Sequence, residues 1–129
     1  MAKSSKRLLI VDDSEITRAL LRTLLRHEDY DVVGEASDGQ QAIDMAQRLK
    51  PDIVCLDVDM PKMGGLEALG ELRRLLPRTA VLMVTAHAER ETVQTAIANG
   101  AVGYIVKPFN AGRVLAAIAA AVARVDAPT

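Results

Sequence analysis

The feature that most constrains this chain is a fivefold alternation of short apolar runs with segments of helical periodicity. The first run, residues 8–11, is apolar at every position and ends at Asp12, which is typical of a strand buried on both faces of a sheet. Ser14 then offers a side-chain cap for a helix. That helix has a predicted apolar stripe made of Ile16, Leu20, Leu21, Leu24 and Leu25.

The same order of strand and helix recurs four more times. The predicted pairs are 31–36 with 40–49, 53–56 with 66–76, 80–84 with 91–99, and 103–106 with 111–124. Strands separated by helices cannot pair as hairpins, so right-handed crossovers into a parallel sheet are favoured. The pattern therefore predicts one doubly wound α/β domain with helices on both faces of the sheet.

Length, charge and cysteine content narrow the class of protein. The 129 residues fit a single domain, with a core from about residue 7 to residue 125 and short flexible ends. A net charge of -1 argues against direct nucleic-acid binding. The longest uncharged apolar stretch, residues 114–123, is about half of the roughly 20 residues that a membrane span needs. With one cysteine and no apparent secretory signal, we expect a cytoplasmic protein.

Polar residues follow four of the five predicted strands. They are Asp12 and Asp13 after the first strand, Asp57 and Asp59 after the third, Thr85 after the fourth and Lys107 after the fifth. The carboxyl ends of parallel strands meet in one crevice, where crowded carboxylates recruit a hard cation such as Mg²⁺. A carboxylate held beside Mg²⁺ and a lysine can attack phosphorus, and Asp57 is the predicted nucleophile.

These residues also carry a family resemblance. The ordered set Asp12-Asp13, Asp57-Val58-Asp59-Met60-Pro61, Thr85-Ala86 and Lys107-Pro108-Phe109 resembles the receiver domain of two-component response regulators. The likeness is to the single-domain regulators of chemotaxis and covers about residues 7–125. It implies a flavodoxin-like fold, a five-stranded parallel sheet in the order 2-1-3-4-5.

The resemblance also implies a phosphotransfer site. Asp57 would accept a phosphoryl group from a histidine of a sensor kinase or of a histidine phosphotransfer protein. The side chains of Asp13 and Asp57 and the backbone carbonyl of Asp59 would hold Mg²⁺, and Asp12 would act mainly through a bound water. Lys107 would pair with Asp57 before transfer and with a phosphoryl oxygen afterwards.

Further residues receive switching and tuning roles from the same resemblance. Thr85 would donate its hydroxyl to the phosphoryl group, and this movement would let Tyr104 turn inward. Asp59 and His87 would flank the path of water and set the dephosphorylation rate. The Lys107–Pro108 peptide bond would be cis. The protein would then be a signalling switch that assists its own phosphotransfer and dephosphorylation, with a downstream protein as its target.

Two stretches depart from a generic receiver. Gly64 stands where an Asp or Asn is usual before the third helix, which predicts a looser loop at little energetic cost. Residues 114–123 of the last helix carry no charge, although an outer helix normally shows a polar face. Two explanations account for the missing charges. The first is that alanine is present for its high helix propensity, and the second is that the exposed side of this helix is a contact surface. The second explanation predicts partner binding through the fifth helix, and we expect either a monomer or a weak homodimer formed through that helix.

Three other functions are weaker alternatives. Asp57-Val58-Asp59 resembles the nucleophile loop of haloacid-dehalogenase-like phosphatases, although that loop follows the first strand of its fold. A flavodoxin-type flavin site is disfavoured, because Asp12 and Asp13 would repel a phosphate. A receiver-like adaptor that works without phosphorylation is the third alternative.

Overall fold

The computed structural model describes residues 6–28, 30–60, 63–86 and 90–126. The strands are β1 (Arg7–Val11), β2 (Asp31–Ala36), β3 (Ile53–Asp57), β4 (Ala80–Thr85) and β5 (Gly103–Val106). The helices are α1 (Glu15–His27), α2 (Gly39–Leu49), α3 (Gly65–Leu75), α4 (Arg90–Ala98) and α5 (Ala111–Asp126). None of the helices in these ranges combines the length and hydrophobicity needed to cross a bilayer.

The five strands form one parallel sheet in the order β2-β1-β3-β4-β5, which confirms the predicted fold class. Val11 pairs with Leu56, and Asp57 pairs with Val84. The central strands therefore end almost level with one another. This register brings the residues that follow them to one edge of the sheet.

Burial on both faces explains the continuous apolar run of β1. Leu8 and Ile10 belong to a core cluster that includes residues of α1 and α5. Leu9 and Val11 point to the opposite face, into a cluster that includes residues of α2, α3 and α4. Since alternate side chains of a strand face opposite ways, a strand between two helical layers must be apolar throughout.

The predicted apolar stripe of α1 is wrong at two positions. Leu21 and Leu25 are buried, whereas Ile16 is 76% exposed and Leu20 is 53% exposed. Successive helical residues are about 100° apart, so when Leu21 and Leu25 face the sheet, Ile16 and Leu20 lie roughly 120° or more around the helix axis from that face. Packing against the sheet, and not periodicity alone, selects the buried face.

Side-chain caps begin α1, α2 and α5, and at α5 Asn110 Oδ1 accepts a hydrogen bond from Arg113 N at 3.1 Å. Ser14 Oγ accepts a hydrogen bond from Thr17 N at 3.3 Å, as the sequence predicts, and Asp38 Oδ1 accepts one from Gln41 N at 2.9 Å. At the N-cap of α3, Gly64 offers no such bond. The start of α3 thus lacks one stabilising contact that α1 and α2 possess.

Candidate functional site

The carboxyl edge of the sheet gathers buried polar side chains. Asp12 follows β1, Asp57 is the last residue of β3, and Thr85 is the last residue of β4. All three are at most 2% exposed. Lys107 follows β5 directly, and its backbone N–H donates to the Thr85 carbonyl at 2.8 Å. The fold therefore brings together four of the residues that the sequence predicts for this site.

Three carboxylates form the acidic part of the site. Asp12, Asp13 and Asp57 each offer an oxygen within 4.8 Å of those of the other two. Asp12 and Asp57 are buried, whereas Asp13 is exposed at the mouth of the site. Like charges at this separation repel one another, so the arrangement favours a cation or a retained proton.

Lys107 supplies an ammonium to this cluster. Its Nζ lies 3.0 Å from Asp12 Oδ2 and 3.6 Å from Asp57 Oδ1. Burial lowers the pKa of Lys107, but the contact with Asp12 and the charge of Asp57 outweigh burial, so the net pKa is raised. The lysine therefore remains a cation and partly neutralises both buried acids.

Asp57 is the most perturbed acid of the cluster. Burial, reinforced by the charge of Asp12, raises its pKa to about 6, although Lys107 and the backbone N–H of Asp59 act in the opposite direction. That N–H donates to Asp57 Oδ1 at 3.3 Å. At neutral pH Asp57 is mostly ionised, although burial and the charge of Asp12 destabilise the ionised form. An additional positive charge nearby would stabilise it.

The donor set fits a divalent metal of the Mg²⁺ type. Oδ1 of Asp12 accepts a hydrogen bond from Ser14 N at 2.9 Å. Oδ2 is buried and accepts no regular hydrogen bond from any described residue, although it lies within ion-pair distance of Lys107. A buried carboxylate oxygen whose neighbour is an ammonium, beside two further carboxylates, is suited to a hard cation or its bound water.

The loop after β3 is held against the end of the sheet. Val58 N donates to Val84 O, and Gly65 N donates to Val58 O, both at 2.9 Å. A Cβ on Gly65 would lie 2.1 Å from the Asp57 carbonyl oxygen. The start of α3 therefore reaches Asp57 only because residue 65 is glycine, and Asp59 is left exposed beside the cluster.

The remaining predicted site residues lie in different places. Tyr104 is on β5 and is 45% exposed, so its ring is turned outward. The Lys107–Pro108 peptide bond is cis, the isomer that the resemblance implies. Pro61 and His87 lie outside the described residues, so the predicted role of His87 has no structural counterpart here.

Sequence reasoning missed an ion pair behind the site. Arg18 of α1 donates to the backbone carbonyl of Asp12 at 2.6 Å, and its Nε lies 3.2 Å from Glu35 Oε1 on β2. Glu35 interrupts a half-buried strand just before its carboxyl end. A charge at such a position is a usable signal, because a partly buried carboxylate requires a partner.

Comparisons with known proteins agree with this geometry. A family model described as response regulator receiver domain matches residues 8–119. The chain is 40% identical over 121 residues to the transcriptional regulatory protein PdtaR of Mycobacterium tuberculosis, which covers 92% of this chain and 58% of PdtaR. It is 43% identical over 112 residues to the chemotaxis protein CheY of Listeria monocytogenes, which covers 87% of this chain and 94% of that protein.

A solved structure shows the same likeness. One chain of the CheX–CheY–BeF3–Mg²⁺ complex from Borrelia burgdorferi superposes with a TM-score of 0.86 at 31% identity. The alignment covers 88% of this chain and 86% of that one. Sequence and structure thus point to one family, while the chain spans little more than half the length of PdtaR.

Proposed function

This chain belongs to the response regulator receiver domain family, and we propose from that membership and from its site that it is a phosphorylation-dependent signalling switch. Asp57 is the proposed phosphoacceptor, and a phosphohistidine of a sensor kinase or phosphotransfer protein is the proposed donor. The observation that carries the proposal is the buried Asp57 carboxylate, set among two further carboxylates with Lys107 Nζ 3.6 Å away. Receiver domains are switches and not turnover enzymes.

The transfer step uses the ionised form of Asp57. A carboxylate oxygen of Asp57 attacks phosphorus as the bond between phosphorus and the histidine nitrogen breaks, and the departing imidazole keeps the electron pair. Lys107 is proposed to turn from Asp57 toward a phosphoryl oxygen. Because its Nζ already lies between Asp12 and Asp57, this requires only a small movement of a flexible side chain.

A divalent cation is proposed as the cofactor. Asp13 and Asp57 side chains with the Asp59 backbone carbonyl would hold Mg²⁺, and Asp12 would contribute mainly through a bound water. When bound, the ion neutralises charge on the transferring phosphoryl oxygens. The cluster of three carboxylates, the buried Oδ2 of Asp12 and the Mg²⁺ named in the B. burgdorferi complex support this assignment.

The signal is proposed to pass from Thr85 to Tyr104. The Thr85 hydroxyl would bond the new phosphoryl group, and Tyr104 would turn from its exposed position toward the space that this movement leaves. The two residues lie on adjacent strands, where Thr85 pairs with Val106 and Met83 pairs with Tyr104. The phosphoryl group would thereby shift an equilibrium between two arrangements of β4 and β5.

The output surface is proposed to lie on α4, β5 and α5. Ile97, Tyr104 and Val106 are between 37% and 47% exposed there. A shallow groove of about 440 Å³ extends from Tyr104 past Pro108 to Arg113. We expect a downstream protein to bind this surface. If Ala116→Glu and Ala120→Glu, both on the exposed side of α5, alter neither partner binding nor weak self-association, α5 is not part of it.

The phosphatase alternative is less well supported. Asp57-Val58-Asp59 begins at the last residue of the third strand, not after the first, and the match to the receiver family runs through it. We place the receiver core at about residues 7–125 and propose that it acts in the cytoplasm. Release of many product molecules from a phosphomonoester would favour the phosphatase, whereas a switch is labelled once per chain.

The decisive experiment is intact-mass analysis after incubation with phosphoramidate and Mg²⁺. Wild type is expected to gain the mass of one phosphoryl group, and Asp57→Asn is expected to gain none. Asp31→Asn, which replaces an exposed aspartate at the start of β2, is the matched control and should label like wild type. Labelling that persists in Asp57→Asn would move the acceptor to another residue.

The lifetime of the phosphorylated form is proposed to depend on Asp59 and His87. Asp59 is exposed beside the cluster, and its backbone N–H is bonded to Asp57. Both side chains would influence the approach of water to the acyl phosphate. Single Asp59→Ala and His87→Ala variants should change the decay rate measured after removal of the phosphodonor. Unchanged decay in both would refute this role.

A further inference from the structure

We propose that Arg18 is a positioning residue for the metal site, and that it acts by fixing the backbone of Asp12 while Glu35 orients the Arg18 guanidinium. The inference rests on the proposed function, because it concerns the affinity of the same site for Mg²⁺. It goes beyond that function by assigning a role to two residues outside the cluster of carboxylates.

The contact between Arg18 and Asp12 is short and well placed. Arg18 Nη1 donates to the Asp12 backbone carbonyl at 2.6 Å, across the first turns of α1. The Arg18 side chain is only 17% exposed, so water does not readily replace this bond. A charged donor to a backbone carbonyl in a partly buried setting is stronger than a bond between neutral groups.

Glu35 holds the guanidinium in this orientation. Its Oε1 lies 3.2 Å from Arg18 Nε, so one edge of the guanidinium faces β2 while Nη1 faces Asp12. Asp12 N also donates to Ala36 O, the residue after Glu35, at 3.0 Å. The end of β2 therefore restrains Asp12 both directly and through Arg18.

These bonds leave the Asp12 carboxylate little freedom. Its Oδ1 accepts the Ser14 N–H at 2.9 Å, while its N–H and carbonyl are bonded to Ala36 and Arg18. Oδ2 remains available to a cation beside Lys107. Groups that orient a metal-binding side chain without touching the metal typically affect metal affinity by ten- to a hundredfold, and we expect an effect of about tenfold for Arg18.

The chain provides a matched control in Arg22, one turn further along α1. Arg22 Nη1 also pairs with Glu35, through Oε2. Arg22→Met and Arg18→Met each remove one positive charge and one ion pair with Glu35. Only Arg18→Met also removes the bond to the Asp12 carbonyl, so the difference between the two variants isolates that bond.

The experiment is a MgCl2 titration of the full chain followed by amide NMR at constant ionic strength. Arg18→Met is expected to bind Mg²⁺ about tenfold more weakly than wild type, and Arg22→Met within about twofold of wild type. In the metal-free proteins, the Ser14 amide signal should move in Arg18→Met and stay in place in Arg22→Met. Arg18→Lys, which keeps the charge, should recover part of the lost affinity.

The outcomes separate this inference from the proposed function. If Arg18→Met binds Mg²⁺ as tightly as Arg22→Met, Arg18 has no positioning role and the switch proposal stands. If wild type itself binds no Mg²⁺, the proposed metal site fails and this role with it. Should Arg18→Met not fold, Glu35→Gln replaces it as the test. That variant is expected to bind about threefold more weakly, and wild-type affinity would overturn the inference.

Discussion

Lys107 Nζ lies 3.0 Å from Asp12 Oδ2, a buried oxygen that accepts no regular hydrogen bond from the described part of the chain. The distance to Asp57 Oδ1 is longer, 3.6 Å. Before any metal binds, the lysine is thus first a counter-ion for Asp12 and second for Asp57. Asp57 thereby keeps the longer of the two ion pairs, and the three carboxylates of the cluster still exceed the charge of this ammonium, which favours a further cation.

Replacing Lys107 by methionine should destabilise the metal-free protein. The change leaves Asp12 buried without its counter-ion, and we expect a loss on the order of 2 kcal/mol in the free energy of unfolding at pH 7. Mg²⁺ should restore most of it, because the ion supplies the missing positive charge. Urea unfolding with EDTA or with MgCl2 measures both effects. Arg113→Met, which removes an exposed cation nearby, should change stability by less than about 0.5 kcal/mol in either condition.

Replacing Asp57 by asparagine should stabilise the metal-free protein in a pH-dependent way. The folded-state pKa of Asp57, about 6, lies above the ordinary value of 3.8, so the folded state keeps a proton that the unfolded state has lost. The contribution of Asp57 to the free energy of unfolding of wild type is therefore fully present below about pH 4. It is lost as pH rises through about 6. We expect Asp57→Asn to exceed wild type by roughly 1–3 kcal/mol at pH 7 in EDTA and by little at pH 4.

Mg²⁺ should reverse that difference at neutral pH, because it binds the folded wild type and stabilises it by mass action. Asp57→Asn lacks the ligand and should gain little. Unfolding curves at pH 4 and pH 7, with and without MgCl2, make the comparison. Equal stabilities of the two proteins at both pH values in EDTA would contradict the raised pKa.

The sheet and the main site residues could be predicted because a strand buried on both faces appears in the sequence as a continuous apolar run. Residues 8–11 of β1 and 53–56 of β3 are apolar at every position, so the polar residues that come directly after these runs, Asp12 and Asp57, are conspicuous. Parallel strands then place such residues at a common edge of the sheet, whatever the conformations of the loops. The strand order required the family resemblance, since runs of apolar residues do not specify which strands are neighbours.

Contacts that depend on the rotation of α1 could not be predicted in this way. Ile16 and Leu20 share the spacing of the buried leucines, but the contact of α1 with the sheet turns them outward. The same rotation brings Arg18 to Glu35, seventeen positions away along the chain. Helical periodicity fixes which residues share a face but not which face meets the sheet, so this ion pair appears only in three dimensions.

The adjacent glycines Gly64 and Gly65 should respond oppositely to substitution. A Cβ at Gly64 would meet nothing closer than Val58 O at 3.9 Å, so Gly64→Ser should supply the missing cap and add a few tenths of a kcal/mol. A Cβ at Gly65 would overlap the Asp57 carbonyl, and Gly65→Ala should cost about 2 kcal/mol or more. Thermal unfolding of both variants tests the pair. Similar effects from the two substitutions would contradict the close approach of α3 to β3.

Phosphorylation should reduce the exposure of Tyr104, which is 45% in this structure. The chain has two tyrosines and no tryptophan, so Tyr30→Phe leaves Tyr104 as the single intrinsic fluorophore of its kind. In that variant, phosphoramidate with Mg²⁺ should lower acrylamide quenching, because an inward ring is shielded from the quencher. Thr85→Val, which keeps the size of the side chain but removes its hydroxyl, should label at Asp57 without this change. In the Tyr30→Phe protein that keeps Thr85, full labelling with unchanged acrylamide quenching would contradict the prediction. It would show that Asp57 is phosphorylated but that Tyr104 does not turn inward.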